Sequence, residues 1–442
     1  MARRRLFTRR RRDEPPGDEP CADCAQEGVR PFGLLVPPEP VVAPNDVVAR
    51  TPGRLEAVVD GQLLVFDPGR GNAHLLNPSA ALVLTSVDGR STVDEIADAL
   101  SLETGVDRDT IGRDVTDVLG TLVQGGLVTW FFHDPPTTPA PAAAPAPEGS
   151  SERWHALVER RLDEVDWSHV AGPLRVGGAA VVVRTDDDDV ARRLADAMDG
   201  LPPATPGPNV CLSVDRRRVG GGDRFRVHAG GARVGWVDDR ADVVAFALAG
   251  LNRLAADHTP DRLLLHAGVV ERDGRVALLT GPSGRGKSTL TAASVASGAA
   301  YVSDELAIVD PATGAVTPYP KALELDDDAM ARLGLGVAAE AGDARPREHH
   351  VAPRRLGRVS GGGAVALLVL LEPAGVGAAE PTALAPAEAL LRLLPDVLPQ
   401  TWAMPGALDA LAELCERVPA IVLPRVELDE AVAVVRDHLA TV

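Results

Sequence analysis

Apolar positions along this chain change period several times, and each change marks an element. Between residues 55 and 76 short apolar runs alternate with turn residues. Leu55–Asp60, Leu63–Asp67 and Ala73–Leu76 read as three strands, joined by tight turns at Asp60-Gly61 and Pro68-Gly69. Helical spacing follows. Asn77 or Ser79 can cap a helix over Ala80–Val87, and Thr92 caps Val93–Leu102 with Glu95 completing a capping box. Asp107 precedes a longer helix that carries Ile111, Val115, Val118, Leu119 and Leu122 on one face. Gly125-Gly126 closes it, and Leu127–Phe132 is a last strand. Three strands, three helices and a closing strand outline a small winged helix-turn-helix unit over residues 46–133.

After residue 150 strands and helices alternate, the mark of an α/β unit that extends to residue 442. Leu174–Val183, Val210–Val214, Phe225–His228 and Arg233–Val237 read as strands and Ala241–Ala256 as a helix. Strands at Leu263–His266 and Val276–Thr280 come next, then a helix over Ser288–Ala296, then strands at Tyr301–Val302 and Leu306–Val309. The unbroken apolar run Val365–Leu371 is what a strand buried on both faces requires. Glu388–Leu394, Ala407–Arg417 and Asp429–Leu439 read as closing helices. Two stretches escape any period. Residues 1–45 combine an arginine cluster with acidic and proline-rich segments and read as disordered, and residues 134–150 hold six prolines and read as a semi-rigid linker.

Composition narrows the function classes. A chain of 442 residues suits two or three domains, and a net charge of −18 argues against general nucleic-acid binding. The helix from Arg108 offers only Arg108 and Arg113 as basic residues, too few to read DNA. No apolar run is long enough for a membrane span, and the arginine-rich start has no apolar stretch behind it, so a cytoplasmic protein is expected. Cys21 and Cys24 form a lone C-x-x-C, at best half a zinc site. Of 45 basic residues only Lys287 and Lys321 are lysine. A lysine is a compact point charge and an arginine a planar fork, so lysines kept at two positions mark sites where the difference matters.

Lys287 lies in Gly281-Pro-Ser-Gly-Arg-Gly-Lys-Ser288, a full match to G-x-x-x-x-G-K-[ST] with an apolar strand before it and a helix after it. This phosphate-binding loop predicts a nucleoside triphosphate with magnesium. Gly281, Ser283, Gly284, Gly286, Lys287, Ser288 and Thr289 would form the nucleotide cradle, and Ser288 would reach the metal. Ser303-Asp304-Glu305 follows the next strand; two adjacent carboxylates at a strand end can divide metal binding and proton acceptance. His266, in Leu-His-Ala-Gly268, is the third element. Arg345, Arg347, Arg354, Arg355 and Arg358, with His349-His350 among them, form a basic stretch read as a solvated loop or as a lid over phosphates.

Leu-His-Ala-Gly268, the phosphate-binding loop and Ser-Asp-Glu305, in that order, resemble the HPr kinase/phosphorylase core, and more closely its relatives in peptide natural-product clusters. The resemblance implies Asp304 as catalytic acid/base, Glu305 as an aid to the metal, and His266 as support for the transferred phosphoryl group. It also draws in Pro318-Tyr-Pro-Lys321, which would place Lys321 against substrate or phosphate. The family pairs two aspartates where this chain has Asp304 and Glu305. The later segment with which true HPr kinases dock HPr is not found, which argues against HPr as the substrate. Oligomers occur among those relatives, and the resemblance extends that to this chain as an expectation.

In the N-terminal unit, His74-Leu-Leu-Asn-Pro-Ser-Ala80, Val87-Asp-Gly-Arg-Ser-Thr-Val93 and Gly125-Gly-Leu-Val128 are similar to the PqqD-like family, the recognition element for ribosomally made, post-translationally modified peptides. The resemblance implies that a leader peptide adds as a strand beside Ala73, His74, Leu75 and Leu76, against the third helix. The expected architecture is an α+β winged helix-turn-helix, PqqD-like domain linked to an HPr-kinase-like α/β domain. The expected function is capture of a precursor peptide and phosphorylation of its Ser or Thr with ATP and magnesium. The alternative is a non-catalytic scaffold that binds nucleotide and presents the precursor to separate modifying enzymes.

Overall fold

Strand positions in the middle of the chain send their side chains alternately into two different cores, and that explains their unbroken hydrophobicity. The structure, a computed structural model, describes residues 42–131, 150–205, 209–219, 222–336, 348–372 and 380–441. Cys21 and Cys24, Arg345 and Arg347, and nearly all of the two stretches read as tail and linker lie outside the described residues.

A ten-stranded sheet carries the centre. The strand Arg275–Thr280 runs parallel to Gly363–Leu371, which runs parallel to Ala420–Leu423. On its other side Arg275–Thr280 pairs antiparallel with Gly268–Arg272, which pairs in turn with Ala300–Ser303. Val276 and Leu278 point into one core with Leu390, Leu408 and Leu411 of the helices Pro386–Leu393 and Ala407–Arg417. Ala277 and Leu279 point into the opposite core with Leu290, Val295 and Val435 of the helices Lys287–Ala296 and Leu428–Thr441. The run Val365–Leu371 lies within Gly363–Leu371, buried on both faces as its composition requires.

A five-stranded sheet precedes it, in the order Ala232–Val237, Gly222–Ala229, Asn209–Val219, Ala179–Thr185, His169–Val176. Here the structure corrects the sequence expectation: Leu174–Val183 is not one strand but parts of two, folded back at Gly177-Gly178. That turn lies tight against the end of the helix Arg240–Asp257, because a Cβ at Gly178 would lie 2.1 Å from the carbonyl oxygen of His258 and one at Gly177 2.6 Å from Thr259 Oγ1. The helices Ser150–Asp163 and Asp188–Met198 and the strands Gly268–Arg272 and Ala420–Leu423 are additional to the elements expected from the sequence. One face of the five-stranded sheet packs on Asp188–Met198 and Arg240–Asp257, in a core that also takes in Leu264, Ile308 and Tyr319.

The N-terminal unit forms the strands Leu55–Val59, Gln62–Asp67 and Asn72–Leu76 as one antiparallel sheet, and the helices Pro78–Thr85, Val93–Thr104 and Arg108–Gln124. The closing strand Val128–Phe131 pairs with Val47–Arg50, a strand the sequence reading did not contain. The small sheet is covered twice. Val65 and Leu76 face the three helices, while Ala57, Val59, Leu64 and Phe66 face the helices of the α/β unit. Phe66 meets Trp402 with ring centroids 4.7 Å apart, and the Asp60 amide donates to Glu416 Oε1 at 3.1 Å. The unit is therefore seated on the α/β part through an apolar interface.

Asn77, not Ser79, caps the first of these helices, its side chain accepting from Ala80 N. The capping box at Thr92 is complete: Thr92 Oγ1 accepts from Glu95 N, and Glu95 Oε2 accepts from Thr92 N at 2.8 Å. Removing such a cap costs about 1 kcal/mol. Thr92→Ala is therefore expected to lower unfolding stability by that amount in a urea titration, and Thr92→Ser to restore it. An unchanged midpoint in the alanine variant would show that the cap bears no weight here.

Candidate functional site

The loop Gly281–Gly286 leaves the buried strand Arg275–Thr280 and enters the helix Lys287–Ala296. Gly286 holds the helix N-cap at φ 84°, a left-handed conformation that a side chain would strain. The first helical turn contains no acidic residue, so its exposed donors keep their pull on an anion. Pro282, Ser283 and Gly284 are exposed, Ser288 and Thr289 half-buried, and Lys287 buried. The Lys287 ammonium donates to the carbonyl oxygens of Gly281 at 2.6 Å and Pro282 at 3.3 Å, within the loop it serves.

The chain then brings four further segments to that loop. His266 follows the strand Leu263–Leu265 rather than ending it. Its Nδ1 donates to the backbone oxygen of Glu305 at 3.1 Å, and its amide donates to the backbone oxygen of Asp396 at 2.6 Å. Asp304 and Glu305 follow the strand Ala300–Ser303, with Glu305 at φ 71°. That left-handed turn separates the two neighbours and sends them into different surroundings. Gly268 makes room for them, since a Cβ there would sit 2.1 Å from Thr291 Oγ1 and 3.5 Å from Asp304 Oδ1.

Asp304 is 1% exposed and its Oδ2 has no hydrogen-bond partner. Burial holds its carboxyl above the ordinary aspartate value and the Glu305 charge adds to this, while Lys321, the Ser288 hydroxyl and His266 pull the other way. Glu305 shows the opposite balance. Burial again opposes ionisation, but the Lys321 ammonium at 2.8 Å and the Asn252 amide at 2.7 Å outweigh it, and the carboxyl lies below the ordinary glutamate value. One carboxylate is thus poised to take a proton and its neighbour to stay ionised, the separation that acid/base division requires.

Lys321 is 1% exposed and reaches Glu305 rather than open space; Tyr301 donates its hydroxyl to the Lys321 carbonyl oxygen at 3.0 Å. Tyr319 donates to Asn252 Oδ1 at 3.1 Å, which orients the amide toward Glu305. Two residues of this network escaped the sequence reading. Asn252 sits on the helix Arg240–Asp257, and Asp396 lies between two apolar stretches. Asp396 Oδ2 accepts from Gly281 N at 2.8 Å and so fixes the start of the loop; burial raises its carboxyl, against the loop amide, Lys287 and His266.

The basic stretch behaves differently from a free lid over its described part. Glu348–Val351 is a strand paired with Leu323–Asp326, His349 Nε2 lies 2.7 Å from Asp327 Oδ1, and Arg354 pairs with Asp199 at 3.3 Å. In the N-terminal unit, Asn72–Leu76 pairs only with Gln62–Asp67, so its outer edge is unpaired among the described residues. His74 turns toward the end of the third helix, 3.2 Å from where a Gly125 Cβ would be, and Leu76 joins the same core. Ala73 and Leu75 turn toward the α/β unit.

No helix among the described residues is long and apolar enough to cross a membrane. Comparison with curated proteins gives no match. Among solved structures, TbiB1 in complex with the TbiA(beta) leader peptide is similar at 24% identity, over 18% of this chain and 93% of that one, with a TM-score of 0.17. The HPr(Ser) kinase/phosphatase from Coxiella burnetii is similar at 17% identity, over 40% of this chain and 97% of that one, with a TM-score of 0.22. Residues 62–128 match the family model of coenzyme PQQ synthesis protein D, PqqD. Residues 62–128 thus form a PqqD-like module, joined to an α/β unit that carries the Gly281–Ser288 loop.

Proposed function

We propose that this chain captures a ribosomal precursor peptide through its PqqD-like module and phosphorylates a Ser or Thr hydroxyl of that peptide with ATP and magnesium. The observation that carries the reading is the pair Asp304 and Glu305 beside a glycine-rich loop, with environments that drive the two carboxyls in opposite directions. The motif order shared with HPr kinases supports it, and so does the PqqD match over residues 62–128.

The residues fit a nucleotide with magnesium. Asp304 Oδ2 is buried without a partner, beside Ser288 and the loop, an arrangement that a cation or a proton donor would satisfy. Gly281, Ser283, Gly284, Gly286 and Thr289 would offer backbone donors to the phosphates, Lys287 its ammonium, and Ser288 with Glu305 oxygen ligands for the metal. Magnesium would neutralise charge on the phosphate oxygens. Asp304 takes the proton of the acceptor hydroxyl as the hydroxyl oxygen bonds to the γ-phosphorus and the bond from that phosphorus to the bridging oxygen breaks, leaving ADP. His266, held through Nδ1, presents its other nitrogen toward the transferred group, and Lys321 keeps Glu305 ionised.

At the module, a leader strand would add to the free edge of Asn72–Leu76, its backbone groups pairing with those of the strand and its side chains meeting His74, Leu76 and the third helix on one side, Ala73 and Leu75 on the other. Because the module is docked and not loosely tethered, the leader would be held at a fixed place relative to the loop.

The test is the intact mass of a leader-bearing precursor after incubation with the chain, ATP and magnesium, with Lys287→Ala as control. A gain of one phosphoryl group that the control lacks is expected. An unchanged mass with leader binding retained would replace this reading with that of a nucleotide-binding scaffold.

A further inference from the structure

The second face of the five-stranded sheet is polar, and its residues are set by strand alternation. Along Gly222–Ala229, Phe225, Val227 and Ala229 enter the core, which leaves Arg224, Arg226 and His228 on the other side. Along Asn209–Val219, Leu212 and Val214 enter the core and Ser213, Asp215 and Arg217 share the outer face. The helix Ser150–Asp163 lies over part of that face. A Cβ at Gly231 would be 2.0 Å from the His155 carbonyl oxygen, and Arg184 ties Glu159 and Asp163 at 2.8 and 2.6 Å, so the helix is pinned at both places.

Between helix and sheet lies a cleft of about 660 Å³, walled by His155, Arg161, Arg217, Arg226 and Arg233 with His228 among them. That is the size of a small-molecule site. Its charge runs against a chain of net −18. Arg217 and Arg226 share the single carboxylate of Asp215, itself 1% exposed. Arg161 and Arg233 make no ion pair among the described residues, and Glu159 and Asp163 are already committed to Arg184. With Arg184 and its two carboxylates included, five guanidiniums face three carboxylates, which leaves an excess of two positive charges. His228 is 6% exposed, and its Nδ1 has no hydrogen-bond partner. Burial lowers its pKa despite Asp215, so the ring is neutral near pH 7 and available as a hydrogen-bonding group. A buried polar ring without a partner, in a cavity rimmed by the unpaired Arg161 and Arg233, suits the oxygens of an anion.

We propose that this cleft binds a small multivalent oxyanion, held by Arg161, Arg217, Arg226 and Arg233 over His228, at a site separate from the Gly281–Ser288 loop. Guanidinium forks suit phosphate and carboxylate oxygens alike, so both sources enter the test. The site does not depend on the kinase reading.

The full chain carrying Lys287→Ala, which removes the loop cation, is titrated by calorimetry with inorganic pyrophosphate and separately with citrate. Saturable binding of at least one probe is expected, weakened about tenfold or more in the added double variant Arg161→Gln/Arg233→Gln, since a hydrogen bond to a charged group carries at least that factor. Both arginines are exposed and unpaired, so the variant is expected to melt with its parent. Pyrophosphate binding alone identifies a phosphate ester or anhydride as the ligand class, and citrate binding alone a polycarboxylate. No saturable binding of either probe, or binding that the double variant leaves unchanged, overturns the proposal.

Discussion

Asp304→Asn is expected to reduce phosphoryl transfer on the order of a thousandfold, the size of a general-base contribution, while nucleotide affinity changes little. The amide keeps the volume and much of the polarity of the carboxylate but cannot accept the acceptor hydroxyl's proton. The loop donors and Lys287, which would hold the phosphates, are untouched. Stability should not fall with activity. Asp304 is buried and its carboxyl is raised, so the fold disfavours the ionised form and loses stability as pH rises from the ordinary aspartate value through the raised one. Replacing it with a neutral residue removes that liability, and a variant that melts no lower than its parent yet does not turn over would carry the signature of a residue kept for chemistry. The parent's kcat should decline with falling pH through a midpoint above the ordinary aspartate value. Measured together, kcat, nucleotide affinity and melting temperature separate the outcomes. Unchanged kcat would end the assignment, and a loss confined to nucleotide affinity would make Asp304 a binding residue.

Much of this site was legible in the chain because three of its motifs are local. A strand, a glycine-rich turn and a helix start lie within fourteen residues at Arg275–Ser288, and Asp304-Glu305 follows the very next strand. The left-handed turn at Glu305, which divides the two carboxyls, has no such signature, because the residue type does not announce a positive φ. Asn252 and Asp396 were not legible either. Each reaches the site through tertiary packing, Asn252 from a helix that reads as an ordinary apolar one and Asp396 from beyond the central strand, and neither stands in a local pattern. The same reason accounts for the fold's omissions. Gly268–Arg272 and Ala420–Leu423 hold only short apolar stretches whose strand character comes from neighbours distant in sequence. At Leu174–Val183 apolar residues on both sides of Gly177-Gly178 hid a hairpin inside what reads as one run. Docking of the N-terminal sheet was half visible: Leu63–Phe66 is apolar at consecutive positions, which a sheet covered on one face would not need.

The two lysines lead to the second large expectation. Lys321→Met, which nearly preserves volume, is expected to lower stability by about 3 kcal/mol at neutral pH, the lower end of the cost of stripping a buried charge of its partner. Lys321 is 1% exposed and its ammonium lies 2.8 Å from Glu305 Oε2. Without it, Glu305 keeps the Asn252 amide and loses its counter-charge, while Asp304 loses the cation that most opposes its raised carboxyl. The pH dependence follows from the sign. Glu305 lies below its ordinary value of 4.5 in the folded chain, so its pairing contributes stability that is full above 4.5 and disappears as pH falls through the lowered folded value. The variant lacks that contribution, and its deficit should be widest at pH 7 and narrow toward pH 4. A deficit of equal size at both pH values would mean that Lys321 acts by packing alone. Glu305→Gln provides the complementary arm: combined with Lys321→Met it removes both charges, and the pair should cost clearly less than the sum of the single variants, because an amide left beside Asn252 carries no unpaired charge. Lys321→Arg should not rescue, since a planar fork needs more room than a fully enclosed ammonium leaves. Turnover should fall with Lys321→Met even under conditions where the variant is fully folded, because a Glu305 that takes up a proton more readily is a weaker ligand for a cation.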